Sequence, residues 1–422
     1  MNNTILKISL LTALISSYAY GFNPISGRFD PIMQSIGPLP SSNKIATNLN
    51  ATVDNGVYIP DMILNQRLRS VLEKETGEAI TIQDMQALTN LELSCCGIKD
   101  ITGLEYAINL THLNLGNNQI TDITSLANLT QLTELDIQYN QIRDISAVCY
   151  LTNLTLLRAS YNLITDIRTF AHPNMSNLKK LYLNGNMITD ITALGAKHPL
   201  TNNPVLINLT HLDISDNKNP RQWKTPSDHT SICGKREEGE ARISNLTPIV
   251  GLTNLAYFAA SQNDIEDISA LGNLHNLKKL ELFDNFIEDI GVLYNLNNLV
   301  DINLCANKIF NIRVFENPNL AQITNLNLAQ NRIRDISSLS ELTDIVWLFL
   351  HHNFIDDISA LVKNPGLYNE FPDDTIIDTI DISFNKLDLT RGSDDMQNIH
   401  ALERRCVKID YLPQDCDDCN SR

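Results

Sequence analysis

At 422 residues the chain could hold two or three globular domains, and its formal charge of −17 argues against partners built on phosphate, whether nucleic acid or an anionic membrane surface. No stretch beyond the N-terminus approaches the ~18 consecutive apolar residues of a membrane span, so membrane insertion is not expected. The acidic balance fits solubility or a basic partner.

Residues 1–21 read as a signal peptide. Lys7 is the one charge before Arg28, Ile8 to Ser16 is apolar, and Ser17-Tyr18-Ala19 and Ala19-Tyr20-Gly21 are small-residue cleavage candidates. The mature protein is therefore expected to be secreted, periplasmic or held at the cell surface. Residues 22–56, with Pro24, Pro31, Pro38 and Pro40 among Ser, Asn and Gly, show no helical or strand period and read as a flexible leader.

A helical cap is expected over 57–90. Pro60 to Gly77 has Leu64, Leu68, Val71 and Leu72 on one face, with Gly77 available as the left-handed residue at the helix end. Thr81 followed by Asp84 has the spacing of a capping box and opens a second short helix through Leu88. Two helices here would cover the apolar edge of the repeats that follow.

Residues 91–387 are repetitive. Leu113-Asn114-Leu115, Asn118, Ile120, Asp122 and Ile123 return 22 residues later as Leu135-Asp136-Ile137, Asn140, Ile142, Asp144 and Ile145. The last residue of LxLxxN falls at Cys96, Asn118, Asn140, Asn162, Asn186, Asn217, Asn263, Asn285, Asn307, Asn331, Asn353 and Asn385. A period of that length means a solenoid of about 12 units. LxL is a short strand with both leucines inward, and stacked units make a parallel sheet with strands about 4.8 Å apart. A buried Asn amide carries donors and acceptors, and so can satisfy the backbone where each strand bends away. The Asp of IxDI is placed to cap the next tight turn. That role makes the column Asp100, Asp122, Asp144, Asp166 and Asp190 framework rather than a calcium site. An insertion at 218–240, KNPRQWKTPSDHTSICGKREEGE, reads as a polar loop. Residues 388–422 form a C-terminal cap, with a helix expected over Asp394 to Val407, and a cysteine-containing tail.

The unit LTxLxxLxLxxNxIxDIxxL, as in 129–151, and the entry Gly97-Ile98, Gly103-Leu104-Glu105-Tyr106, Asn109-Leu110-Thr111 after a helical cap resemble the bacterial leucine-rich-repeat proteins of the internalin type. The resemblance covers roughly 57–387. It implies an α/β horseshoe with a parallel sheet on the concave face, turns or 3-10 segments on the convex face, a partner protein bound on the concave sheet, and no catalysis. The family usually continues into an immunoglobulin-like domain and a wall anchor. Here 37 residues follow Asn385, too few for either.

In such a fold the outward strand positions carry specificity. Tyr139, Tyr161 and Tyr182 group early around Arg158, Trp347, Phe349 and Phe384 group late with His352, and Phe283 lies between. Aromatic and Arg side chains on a solvent-facing sheet are what binding hot spots favour. Asp136, Asp213 and Glu281 among them favour a partner with a basic patch. His351 and His352 are expected to point to opposite sides of the strand or to splay apart at its end. Among eight cysteines, Cys406, Cys416 and Cys419 cluster and are disulfide candidates. Cys416-x-x-Cys419 has no second pair for zinc and no thioredoxin-like context. No phosphate loop, nucleophile elbow or zinc-protease helix is present. The expected protein is a monomeric, non-catalytic binder of another protein, without cofactor. The rival readings are a regulatory subunit or effector that modulates an enzyme, as in the phosphatase-1 regulatory leucine-rich-repeat type, and an enzyme using the Cys416 pair or Cys233.

Overall fold

The computed structural model describes residues 22–23, 28–29, 56–217, 241–369 and 378–414. The expected signal peptide, most of the leader, the 218–240 insertion, and Cys233, Cys416 and Cys419 lie outside these residues. Inter-residue contacts divide the chain into two compact units: Met1–Leu154 with Asp166–Asn177 and Ala196–Val205, and Thr155–Thr165 with Leu178–Gly195 and Leu206–Arg422.

The first unit opens with the expected cap. Helix α1 (Met62–Val71) buries Leu64 and Leu68, and α2 (Ile82–Ala87) buries Met85. Thr81 and Asp84 form the capping box. The helix expected over Pro60 to Gly77 is shorter. It ends at Val71, and Glu73, not Gly77, is the left-handed residue just past its end. Arg69 explains the early stop, because its guanidinium donates to the Glu75 and Glu78 carbonyls and draws the chain into a turn. Strands β1 (Asn90–Glu92), β2 (His112–Asn114) and β3 (Glu134–Asp136) then pair in parallel and in register.

Asp61 joins cap to repeats. Its Oδ1 accepts from the Ile63 and Leu64 N–H groups at 2.9 and 3.0 Å, and its Oδ2 accepts from Lys99 and Asp100 in the first turn at 2.8 and 3.2 Å. Burial pushes this carboxyl up, but the backbone donors outweigh it and hold it below the ordinary carboxylate range. Asp61→Ala is expected to cost about 1–2 kcal/mol, the upper part of the N-cap range, since two sets of donors lose their acceptor. A depressed folded pKa stabilises above the unfolded value and is lost as pH falls through the folded one. The difference between wild type and variant in urea midpoints should therefore hold at neutral pH and shrink in acid. A difference that persists undiminished in acid would mean that the carboxylate is not its source.

The second unit holds β4 (Leu156–Arg158), β5 (Lys180–Tyr182), β6 (His211–Asp213), β7 (Tyr257–Ala259), β8 (Lys279–Glu281), β9 (Asp301–Asn303), β10 (Asn325–Asn327), β11 (Trp347–Phe349), β12 (Thr379–Asp381) and β13 (Lys408–Asp410), paired in parallel in chain order. From β4 to β12 each three-residue strand buries its central side chain, such as Leu212, Phe258 and Leu280, while most flanking residues stay at least partly exposed; in β13 the central Ile409 is half-buried. In both units the return path of each coil is mostly a 3-10 turn, as at Thr124–Asn128 and Ser269–Asn273. The Asp column caps these turns as expected. Asp122 accepts from Thr124 N–H at 2.8 Å, Asp144 from Ser146, Asp267 from Ser269 and Asp335 from Ser337.

The ladder Asn works as its chemistry demands. Asn331 Nδ2 donates to the Leu304, Leu328 and Ala329 carbonyls at 3.0 to 3.1 Å, and its Oδ1 accepts from Ile309 N–H at 2.9 Å. One side chain thus bonds its own coil and the preceding one. The C-terminal cap departs from expectation. The helix expected over Asp394 to Val407 ends at Glu403, Cys406 turns left-handed at φ 60°, and β13 adds a strand. Gln414 stands at the ladder position of this truncated last coil. Its side-chain oxygen accepts from Asn385 and Leu387 N–H, and its amide donates to the Ile382 carbonyl at 3.1 Å. Gln414 thus closes a ladder that its sequence letter concealed.

No described helix is long and apolar enough to cross a membrane.

Candidate protein-recognition face

The outward residues of the strands and of the bend that follows them form the candidate site. The bend has a feature that spacing does not reveal. The residue just before each ladder position is left-handed: Cys95, Asn117 and Tyr139 in the first unit, and Tyr161, Gly185, Asp216, Gln262, Asp284, Ala306, Gln330, His352 and Phe384 in the second, with φ between 52° and 68°. Gly, Asn and Asp adopt this conformation readily, whereas other side chains do so at a cost of about 1–2 kcal/mol. Tyr139, Tyr161, His352 and Phe384 are therefore bulky residues in a backbone site that favours small polar ones. Such strain, where it is seen, points to a use outside the fold.

In the second unit the early candidates come together. The Arg158 guanidinium lies 5.9 Å from the centre of the Tyr182 ring, within cation–π range. Tyr161 packs against Gly185, where an added Cβ would fall 2.5 Å from the ring, so the glycine both satisfies the left-handed backbone and vacates the space the ring fills. Phe283 is half-buried, with its N–H donating to Ser261 Oγ at 3.2 Å. In the first unit Tyr139 is 42% exposed.

The late candidates form a second group. Trp347 is 44% exposed and Phe349 half-buried. His352 stacks on Phe384 with centroids 4.2 Å apart and planes at 21°. His351 and His352 do not splay apart as expected. Their rings meet edge to face at 5.4 Å, because the left-handed φ at His352 turns its side chain back toward its neighbour. His351 Nδ1 lies 3.0 Å from Asp381 Oδ2. Burial pushes the Asp381 carboxyl up, but His351 and Ser383 overcome this and hold it low.

The outward acids have local roles as well. Asp136, Asp213 and Asp381 each accept from the backbone N–H two residues on, at 2.9 to 3.1 Å, as Asn114, Asn303 and Asn327 do at the same register. Glu281 instead pairs with Lys279 at 2.9 Å, and Lys279 also reaches Asp301 at 3.1 Å. Burial pushes Asp213 above the ordinary carboxylate range, with Glu281 and Asp216 adding repulsion.

The first outward residue of each strand escaped the sequence reading apart from Trp347. His211, Tyr257, Lys279 and Asp301 occupy it on β6 to β9. Tyr257 is half-buried beside His211, with ring centroids 5.9 Å apart. Burial, then the charges of Asp213 and Glu281, drive its hydroxyl strongly upward, so it stays a neutral phenol. The residue before the first leucine of each LxL was the available signal.

Cys406 is exposed and forms no disulfide with another described residue. Burial pushes the Cys149 thiol up to about 11, which leaves it protonated and unreactive at neutral pH. Among the described residues no cluster of three or more His, Cys, Asp or Glu is placed to hold a metal.

The model of the leucine-rich-repeat family, which spans two repeat copies, matches residues 86–128, 108–150 and 152–196. No curated protein matches the sequence. Among solved structures, an internalin of Listeria monocytogenes, InlF, is 27% identical over 86% of this chain and 100% of its own, with a TM-score of 0.65. A leucine-rich-repeat protein of Leptospira interrogans is 18% identical over 79% of this chain and 80% of its own, with a TM-score of 0.58. A TDR receptor is 23% identical over 72% of this chain and 53% of its own, with a TM-score of 0.52. The last two share the fold alone. The chain thus has the leucine-rich-repeat solenoid fold, and in its helical cap, its 22-residue coil with an Asn ladder and its likeness to InlF along the whole of that structure it is similar to the bacterial leucine-rich-repeat proteins of the internalin type.

Proposed function

We propose that the chain is an exported recognition protein that binds another protein on the outward face of its strands and catalyses no reaction. The observation that carries this reading is the set of bulky rings at left-handed positions, Tyr161, His352 and Phe384 in the second unit and Tyr139 in the first. The fold would be better served by Asn or Gly there, and a solvent-facing ring is worth its strain where a partner buries it. The exposed Trp347 adds an anchor of the kind that interface cores favour. Export rests on the charge and apolar pattern of residues 1–21, and recognition on the fold shared with an internalin.

The test is capture of a protein partner by the full chain, repeated with Tyr161→Asn and Phe384→Asn together. Loss of the captured protein, with the variant still folded, supports the reading; undiminished capture removes the strand face from it. Sequencing the N-terminus of protein recovered outside the cell tests export separately, and an intact Met1 would end the signal-peptide argument.

A further inference from the structure

We propose that the face formed by β5 to β9 seats an arginine side chain of the partner protein, its guanidinium set against the Asp213 carboxylate and the Tyr257 ring. This rests on the strand-face reading above and names the chemistry the partner must present there.

Charge favours an arginine at this seat. The strands and bends of β6 to β9 carry Asp213, Asp216, Glu281, Asp284 and Asp301 against a single lysine, Lys279. Lys279 is committed to Glu281 and Asp301. Asp213 makes its hydrogen bond to Ser215 N–H, and no cation pairs with it among the described residues. Its neighbours across the sheet in register are Tyr182 on one side and Ala259 on the other, with Glu281 one strand further. Ala259 contributes no polar atom. The carboxylate is therefore desolvated on a sheet face that opposes it with further negative charge, which the hydrogen bonds from Ser215 offset only in part. A basic side chain arriving from outside would supply the missing charge.

Shape favours it as well. Tyr182 and Tyr257 flank Asp213 on the same outward face, in the second and first columns. A planar guanidinium can stack on a tyrosine while its N–H groups engage a carboxylate, which a strongly hydrated ammonium does less well. The molecule already contains one such contact, since Arg158 lies over the Tyr182 ring. An arginine from the partner would repeat it two strands further along, on the Tyr257 ring.

The test pans a random-peptide display library on the immobilised full chain and rebinds the recovered peptides to variants. The expected peptides share an arginine. Exchanging it for citrulline, which keeps the shape and removes the charge, should weaken binding on the order of tenfold, the worth of one charge-assisted hydrogen bond. Asp213→Asn should cause a similar loss, with little further loss when both changes are combined. Folding is not at risk, because Asn303 and Asn327 make the same backbone bond at this register. Asp213→Asn should melt at or above the wild-type temperature while binding less, and Glu281→Gln should weaken the same peptides by a smaller factor. Peptides that depend on Tyr182 or Trp347 but carry no arginine, or that tolerate Asp213→Asn, would overturn the arginine seat and leave strand-face recognition standing. Peptides indifferent to Tyr182→Ala, Trp347→Ser and Asp213→Asn alike would overturn both.

Discussion

Asn331→Ala is expected to destabilise the protein by about 3–5 kcal/mol, with the loss read as a lowered urea midpoint. The amide serves four backbone groups in two coils: the Leu304, Leu328 and Ala329 carbonyls and the Ile309 N–H. Asn331 is 6% exposed, so water does not replace it. Each orphaned buried group costs about 1–3 kcal/mol, and relaxation keeps the sum below simple addition. The control is Asn303→Ala, which removes one acceptor from one half-exposed turn and should cost about 1 kcal/mol or less. Asn331→Asp separates charge from shape. It keeps an acceptor but turns a carboxylate toward three carbonyl oxygens, which raises its folded pKa. Its stability should therefore be highest below the unfolded carboxylate pKa and fall as pH rises through the folded one. Equal midpoints for Asn331→Ala and Asn303→Ala would remove the ladder as the main polar support of the coil.

The coil was legible because its framework repeats. Leu115, Asn118, Ile120 and Asp122 recur at fixed spacing, and each letter has one physical task that the structure bears out. The capping box at Thr81 was legible for the same reason, since two residue types at one spacing carry a definite pair of hydrogen bonds. What escaped was whatever did not repeat. The left-handed column holds Cys, Asn, Tyr, Gly, Asp, Gln, Ala, His and Phe, so its backbone signature is masked by the side chains that occupy it. Only Asn117, Gly185, Asp216 and Asp284 hint at it. The last strand escaped because Gln414 does at longer reach what Asn does elsewhere. Asp213 is visible as an acid, but that no described cation pairs with it depends on which side chains stand on the neighbouring strands, and a linear pattern cannot supply that.

The second large effect is expected on binding alone. Tyr161→Asn with Phe384→Asn should reduce affinity for the partner by on the order of a hundredfold or more, the range of two interface anchors, while stability moves by no more than about 1 kcal/mol. The small change in stability is a balance of two opposing terms. Removing a half-buried ring loses about 1–1.5 kcal/mol of apolar burial. Asn in place of an aromatic residue at φ 53° to 54° recovers a similar amount of backbone strain, and Asn117 occupies the equivalent site in the same conformation. A framework residue behaves otherwise. Phe258, fully buried at the centre of β7, should cost about 3–5 kcal/mol as Phe258→Ala and should carry binding down only through unfolding. Calorimetric binding and thermal melts on the three proteins separate the cases. If the double variant loses stability in step with affinity, the rings belong to the coil. If affinity falls while the melt stays in place, the contacts these rings make within the chain contribute little to folding and the strain is kept for the partner.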